Sequence, residues 1–332
     1  MSPLDTQAAM DEAAAPEERT HDLALLQMGR TLLANNYRFM TVTPLTHQRN
    51  NERAQNREAR DVRDVFGWNR PFEAHVLPGV EAEALRESEV IRAQDGHWIS
   101  TVRYSSLGEL LLVHSGFPTT ARDAVFFGPD TYRFAQAIEA HLHTSTHPIR
   151  TAADIGSGSG AGAIVIAHAR PEAQVQALDI NPTALRFTAV NAALAQTENV
   201  SPRYSDLLSG ASGQFDLIVA NPPYMQDTQK RAYRHGGDRL GSELAVRIVE
   251  QALDRLTPGG TLLLYTGTPW VDGTDLFLES AQPLVDKPGF IWSYREVDPD
   301  VFGEELESET YACAERIAAV VLTVTKTGGF RG

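Results

Sequence analysis

After residue 150 the chain alternates short apolar runs with helical segments, and this alternation restricts the fold more than any other feature. The runs that we interpret as strands are 150–156, 175–180, 202–205, 215–220, 261–267, 289–297 and 316–325. The helical segments lie near 161–169, 182–196, 241–256 and 273–285. Strands that alternate with helices form a mostly parallel, doubly wound sheet. No clear helix separates the last two strands, so we predict an α/β, Rossmann-like fold of seven strands with an antiparallel C-terminal edge.

A glycine-rich loop follows the first predicted strand and opens an apolar helix. Gly156, Ser157, Gly158 and Gly160 form this loop. Glycine allows a tight turn and a close backbone approach to a ligand, and the start of a helix offers free N–H groups. Because the loop also satisfies the dinucleotide pattern G-x-G-x-x-G/A, it does not by itself separate a nicotinamide cofactor from S-adenosylmethionine.

Acidic residues stand at the ends of three neighbouring strands. Asp154 precedes the glycines, where it can face a cationic amino group. Asp179, followed by Ile180, comes about twenty residues after the loop, which suits a ribose diol. Asp206, followed by Leu207, ends the third strand, where an adenine amino group could be met. Ligands of such sheets bind beyond the carboxyl ends of the strands, so these acids converge on one crevice and favour S-adenosylmethionine.

The fourth strand ends in Asn221-Pro222-Pro223-Tyr224. Proline fixes φ and has no N–H, so the turn is rigid and its carbonyl groups are free to accept. The Asn221 side-chain oxygen and the Pro222 carbonyl can accept both hydrogens of a planar NH2 group, and the Tyr224 ring can lie against its face. The turn therefore predicts methyl transfer to an amide or amino nitrogen by positioning and fixed dipoles, with these three residues catalytic and Pro223 on the substrate side.

Together these motifs resemble the class I S-adenosylmethionine-dependent methyltransferases, and most of all the N5-glutamine methyltransferases that modify peptide release factors. The matching segments are 154–160, 178–182, 205–208 and 221–224, with further similarity at 236–241 and 256–260. The resemblance covers roughly residues 125–326 and implies S-adenosylmethionine as the cofactor. It implies that the cofactor is held by Asp154, Gly156, Ser157, Gly158, Gly160, Asp179, Ile180, Asp206, Leu207 and Asn221. The implied acceptor is a protein glutamine side chain, with a peptide release factor as the expected partner.

The same resemblance implies further contacts with the substrate. Residues 127–132, Phe-Gly-Pro-Asp-Thr-Tyr, loosely match the family's Pro-Arg-Pro-Glu-Thr-Glu stretch and lack its Arg and its last Glu. The match places Pro129 and Thr131 near the substrate. Gly237 belongs to a Gly-Gly-Asp segment that lies near the active site in the family and could close over the substrate.

Other acceptors and roles stay open at this point. Methyltransferases of adenine, cytosine and guanine amino groups carry similar turns, which makes an exocyclic nitrogen of RNA or DNA an alternative. The net charge of −14 argues against a nucleic-acid partner, because the field of an acidic protein opposes phosphate. A small amine or amide, enclosed by the N-terminal part, is a third acceptor. A cofactor-binding scaffold without chemistry is disfavoured by the intact turn.

We predict three segments: a flexible tail at 1–20, a mixed α+β domain at 21–120, and the cofactor-binding domain at 121–332. The middle domain is expected to recognise or cover the substrate. Helical spacing of apolar residues spans 21–40, and two strands, 98–104 and 109–114, flank a turn at 105–108. Arginines at 49, 53 and 57 would form a stripe on a helix, which we interpret as a solvated face with internal ion pairs rather than a partner contact.

The remaining composition excludes several classes of protein. A single cysteine, Cys313, excludes a disulfide framework and a cysteine-rich zinc site. His141, His143 and His147 are interpreted as a solvated helix end rather than a metal site, because Pro148 disfavours a helix that reaches His147. We find no leader peptide and no apolar stretch long enough for a membrane, so a cytoplasmic protein without metal or membrane contact is expected.

Overall fold

The computed structural model describes residues 16–77, 82–226 and 233–328. The first helix, α1, covers Pro16–Ala34. The predicted flexible tail at 1–20 was therefore too long by residues 16–20, and its other residues lie outside the described ranges. The tail prediction rested on a composition rich in Ala, Glu and Asp, but Arg186 of the later domain pairs with Glu18 at 3.2 Å and with Asp22 at 2.8 Å. These ion pairs and two acidic residues in the first turn stabilise the helix start.

The rest of the N-terminal part consists of short helices followed by two antiparallel hairpins. The helices are α2 (Pro44–Asn51), α3 (Val62–Phe66) and α4 (Ala82–Glu87), and the strands are β1 (Ile91–Gln94), β2 (His97–Ser100), β3 (Val102–Leu107) and β4 (Leu110–Ser115). β1 pairs with β2, and β3 pairs with β4. The predicted strand 98–104 is thus divided between two hairpins. The predicted turn at 105–108 lies mostly inside β3, because Ser105 is buried and its hydroxyl is bonded to His114 Nε2 at 2.8 Å.

The predicted arginine stripe does not form, because α2 ends at Asn51 and the chain turns before Arg53. Internal ion pairs are found instead around the buried Asp64. Its two carboxylate oxygens lie 2.5 Å from an Arg70 guanidinium nitrogen and 3.1 Å from Arg60 Nε. This arrangement agrees with the interpretation that charges in the segment pair with one another.

The second half of the chain forms the predicted doubly wound sheet. Its strands are β5 (Thr151–Ile155), β6 (Gln174–Asp179), β7 (Val200–Tyr204), β8 (Phe215–Ala220), β9 (Leu256–Val271), β10 (Thr274–Asp275), β11 (Phe290–Asp298) and β12 (Arg316–Lys326). The order across the sheet is β11-β12-β9-β8-β5-β6-β7, with the two-residue β10 against β9. β12 and β11 are antiparallel to their neighbours and the other main strands are parallel, which confirms the predicted edge. β9 is longer at both ends than the predicted 261–267.

Helices cover both faces of this sheet. They are α5 (Pro129–Thr144), α6 (Ala161–Ala169), α7 (Pro182–Leu194), α8 (Glu243–Arg255) and α9 (Leu276–Val285). α5 and α6 share a buried cluster with one face of the strands, and α8 and α9 share another cluster with the opposite face. None of the helices in the described ranges is both long and apolar enough to cross a membrane.

The N-terminal part packs directly on α7. Leu25 and Met28 of α1 belong to one buried cluster with Phe187, Val190 and Leu194 of α7. The fit is close, because a side chain at position 29 of α1 would collide with the end of Leu194. The two parts of the chain therefore share one core at this contact, while a boundary at residue 120 stays a prediction.

Candidate active site

A cavity of about 450 Å³ lies at the carboxyl ends of β5, β6, β7 and β8, between the sheet and the N-terminal part. Parallel strands bring their carboxyl ends to one edge, so loops far apart in sequence meet there. The predicted site residues that line the cavity are Gly156, Ser157, Gly158, Asp179, Ile180, Asp206, Leu207, Asn221, Pro222, Pro223, Tyr224 and Thr131. The predicted residues Asp154, Gly160, Pro129 and Gly237 are not part of the lining.

The side chain of Asp154 points into the start of α6 instead of the cavity. Its Oδ2 accepts a hydrogen bond from the Ala163 N–H at 2.8 Å, and the residue is 1% exposed. Burial raises the pKa of Asp154 to about 7, the negative charge of Asp179 adds to the rise, and the Ala163 N–H opposes it. One Asp154 oxygen is thus bound by a free amide of the helix start, and the expected contact of Asp154 with a cationic group of the cofactor stays a prediction.

The other three predicted residues outside the lining have positions that concern the backbone conformation and packing. Gly160 has φ +79° and lies against the Thr188 side chain, so it allows the loop to turn into α6. Pro129 occupies the first turn of α5. Gly237 has φ +89° and lies against Glu243, which binds the next backbone N–H at 2.9 Å. The expected ligand contacts of Gly160, Pro129 and Gly237 stay predictions, since these residues do not line the cavity.

The glycine loop and the end of β6 hold each other in place. The Gly156 and Ser157 N–H groups donate to the Leu178 carbonyl, at 2.8 and 3.0 Å. Asp179 accepts from the Gly158 N–H through one oxygen and from the Asn181 N–H through the other, both at 2.9 Å. Each Asp179 oxygen has a second lone pair, and the residue lines the cavity, so it can still accept hydroxyl groups.

Two features of this loop indicate space for a ligand. Apart from Gly156 and its two neighbours in the chain, no atom of the described residues lies within 4 Å of the point where a Cβ of Gly156 would be. The Ser157 hydroxyl is buried and has no hydrogen-bond partner among the described residues, although buried hydroxyl groups are normally paired. An open cradle with an unpaired hydroxyl fits the amino-acid or ribose part of S-adenosylmethionine. Ile180 is half exposed and Asp206 is exposed beside it, where a base could be met.

The Asn221 turn lines the cavity and carries two acceptors that receive no hydrogen bond from the described residues. Within the described ranges no group donates to the Asn221 side-chain oxygen or to the Pro222 carbonyl. Asn221 is partly exposed at the end of β8, and Pro222 is buried. An acceptor that lines a cavity without a donor is available to a ligand, which is what the two hydrogens of an NH2 group require.

Tyr224 is held by an acid that the sequence did not single out. Its hydroxyl donates to Asp130 Oδ2 at 2.5 Å, while Tyr265 donates to Oδ1 at 2.7 Å and Arg133 lies 3.2 Å from the same oxygen. Burial raises the pKa of Tyr224, so the hydroxyl stays protonated and acts as the donor. The ring packs on Gly267, where a Cβ would collide with it. Asp130 thus fixes the orientation of the ring at the cavity wall.

Sequence reasoning missed two sets of functional candidates. Asp130 stands between the two residues assigned to the substrate, and its carboxylate was the available signal. The second set comes from the N-terminal part, where His47, Arg103 and Phe117 line the cavity. No motif marks these residues, because only the packing of α2, β3 and the segment after β4 brings them together.

Residues 133–269 match the family model described as the methyltransferase small domain. This part of the chain is similar to methyltransferase domains. The match confirms the predicted methyltransferase resemblance, and with it S-adenosylmethionine as the cofactor of such a domain.

Curated relatives agree with this assignment. The release factor glutamine methyltransferase of Koribacter versatilis is 36% identical over 145 residues, which are 39% of this chain and 51% of that protein. The ribosomal protein uL3 glutamine methyltransferase of Xanthomonas campestris is 33% identical over 175 residues, 48% of this chain and 55% of that protein. The chain therefore spans about half the length of the curated relatives it matches. Among solved structures, Trm5b from Pyrococcus abyssi is similar at 18% identity and a TM-score of 0.48, over 71% of this chain and 62% of that one.

Proposed function

We propose that the protein transfers a methyl group from S-adenosylmethionine to a planar amide or amino nitrogen, and that this nitrogen belongs to a glutamine side chain of a protein. The pair of free acceptors at Asn221 and Pro222 carries the proposal, because it lies in the same cavity as the glycine loop and Asp179. Two acceptors on one rigid turn select a nitrogen that has two hydrogens and a flat geometry.

The chain's own residues would then work mainly by positioning. Gly156, Ser157, Gly158, Asp179 and Asp206 would hold the cofactor, which supplies an electrophilic methyl group when bound. Asn221 and Pro222 would each accept one hydrogen of the NH2 group and so increase the electron density on nitrogen. The Tyr224 ring, fixed by Asp130, would support one face of the amide. No strong base is needed, because the proton can leave after the nitrogen has become positive.

The choice of glutamine rests on the relatives, whose names refer to release factor and uL3 glutamines. A release factor or a ribosomal protein is accordingly the first partner to test, and the cytoplasm is the predicted location. The net charge of −14 opposes an RNA or DNA acceptor. A small amide or amine is the second candidate, since the N-terminal residues Arg103 and Phe117 also line the cavity.

The test is methyl transfer from labelled S-adenosylmethionine to a purified release factor and to purified uL3. Each acceptor is paired with a control in which the candidate glutamine is replaced by Glu, which has the same shape and no NH2 group. We expect label and the mass of one methyl group on the glutamine protein only. Label that persists in the Glu control, or no label on either protein while a small amide is methylated, contradicts the glutamine proposal.

A further inference from the structure

Arg103 is a buried arginine that has no counter-ion among the described residues. It lies on β3, is 3% exposed and lines the cavity. Its Nε has no hydrogen-bond partner among the described residues, and one Nη lies 3.3 Å from His47 Nδ1. Buried arginines are normally paired with a carboxylate, because removing a charge from water is costly.

The groups around Arg103 do not neutralise its charge. His47 Nε2 lies 2.8 Å from the Trp68 carbonyl and donates to it, so Nδ1 accepts from Arg103. Burial, together with the charge of Arg103, lowers the pKa of His47 to about 3, so the ring is neutral. The other groups that act on the pKa of Arg103 are the phenols Tyr37 and Tyr132, which burial keeps protonated. Burial lowers the pKa of Arg103 only to about 10, so the guanidinium stays charged at neutral pH.

Three acids of the described residues line the same cavity, Asp130, Asp179 and Asp206, and none of them forms an ion pair with Arg103. Asp130 accepts from Tyr224 and Tyr265 and is paired with Arg133, which also binds Asp298 at 2.5 Å. The charge of Arg103 is therefore not matched by a carboxylate in the described part of the chain. A guanidinium offers parallel N–H groups that fit the two oxygens of a carboxylate.

We propose that Arg103 is the binding site for a carboxylate group of the methyl acceptor, in the part of the cavity that the N-terminal residues line. The arginine comes from the N-terminal part, whereas the residues that fit the cofactor come from the methyltransferase domain at 133–269 and its loops. The site selects an acceptor that carries both an amide or amino NH2 group and a carboxylate. The two groups must be close enough to each other to fit into the same cavity. This inference rests on the proposed function, because the carboxylate is assigned to the methyl acceptor of that function.

A direct binding experiment tests the site without any methyl transfer. The full-length protein, saturated with S-adenosylhomocysteine, is titrated calorimetrically with N-acetylglutamine and with its neutral analogue N-acetylglutaminamide. We expect the acid to bind about tenfold or more tightly than the amide, as for a charge-assisted pair in a buried site. The preference should disappear in Arg103→Met and be partly kept in Arg103→Lys. Equal binding of the two probes, no binding of the acid, or an unchanged preference in Arg103→Met refutes the proposal.

A second measurement identifies the owner of the carboxylate. S-adenosylhomocysteine has a carboxylate and 5′-methylthioadenosine has none. If Arg103→Met weakens the first and not the second, the arginine binds the cofactor and the assignment to the acceptor is overturned. We expect both affinities to be unchanged. Because neither titration needs turnover, a protein that methylates no glutamine can still show the acid preference, and the two proposals can fail separately.

Thermal unfolding separates a binding role from a structural one. An unpaired buried charge destabilises the fold, so Arg103→Met should keep or raise Tm. Arg70→Met is the matched control, since Arg70 is equally buried but is paired with Asp64 and does not line the cavity. This control should lower Tm and leave the acid preference intact. A fall of Tm in Arg103→Met as large as in the control would show that Arg103 is structural, and would overturn the site.

Discussion

Tyr224 and Tyr265 each donate a hydrogen bond to Asp130, and the two bonds can be removed one at a time. Each hydroxyl donates to one oxygen of the buried Asp130, at 2.5 and 2.7 Å, and both rings are buried. Only Tyr224 lines the cavity. Tyr224→Phe and Tyr265→Phe should each destabilise the protein by about 1.5–3 kcal/mol, the usual contribution of a hydrogen bond to a charged group.

The two variants should differ in activity. Loss of the Asp130 bond frees the Tyr224 ring at the place where we propose that it supports the amide, so kcat in Tyr224→Phe should fall about tenfold or more. In Tyr265→Phe the ring lies away from the cavity, and kcat should stay within about twofold. Urea unfolding gives the stability, and initial rates of S-adenosylhomocysteine formation give kcat. Equal losses of kcat in both variants, or a stable Tyr265→Phe protein, would refute the role assigned to Asp130.

Four further substitutions test the remaining site residues. Asn221→Ala should lower turnover about a hundredfold or more while cofactor affinity measured by calorimetry stays nearly intact. Asp179→Ala should weaken S-adenosylmethionine binding, and an unchanged Kd would remove Asp179 from the site. Gly267→Ala should push the Tyr224 ring aside and cost about 1–3 kcal/mol in urea unfolding, with lower kcat. Burial raises the pKa of Asp154 to about 7, so the folded protein keeps a proton that the unfolded chain loses near pH 4. Between about pH 4 and pH 7 the wild type should therefore lose stability relative to Asp154→Asn, by at most about 1.4 kcal/mol per pH unit. A stability difference that does not depend on pH would contradict the pKa shift.

The sheet and its order of motifs were predictable because they depend on local patterns. Strand 215–220 and helix 161–169 were predicted at the residues where the structure has them, since apolar runs bounded by Gly, Pro and Asn give clear limits. The convergence of Asp179, Asp206 and Asn221 followed from the rule that parallel strands end at one edge. The orientation of the Asp154 side chain could not be predicted, because it depends on which acceptor binds the first backbone N–H groups of α6.

The N-terminal half of the cavity was not predictable, because it depends on contacts between segments far apart in sequence. Arg103 stands in an ordinary strand pattern, and its burial beside His47 results from the packing of α2 against β3. Asn191 shows the same limit. Its side chain binds the backbone of Val113, 78 residues away, and the Ser159 carbonyl, 32 residues away, at 2.7–2.9 Å, and so joins β4 to the glycine loop.

Because α1 and α7 share a core, removal of the N-terminal part would expose apolar side chains of α7. A shortened protein that begins at residue 121 would leave Phe187, Val190 and Leu194 facing water on one side of α7. It would also leave Arg186 without its two acidic partners. Such a fragment would aggregate through this apolar strip unless those positions were made polar. Exchange of the N-terminal part between related enzymes would accordingly have to carry the matching surface of α7 with it.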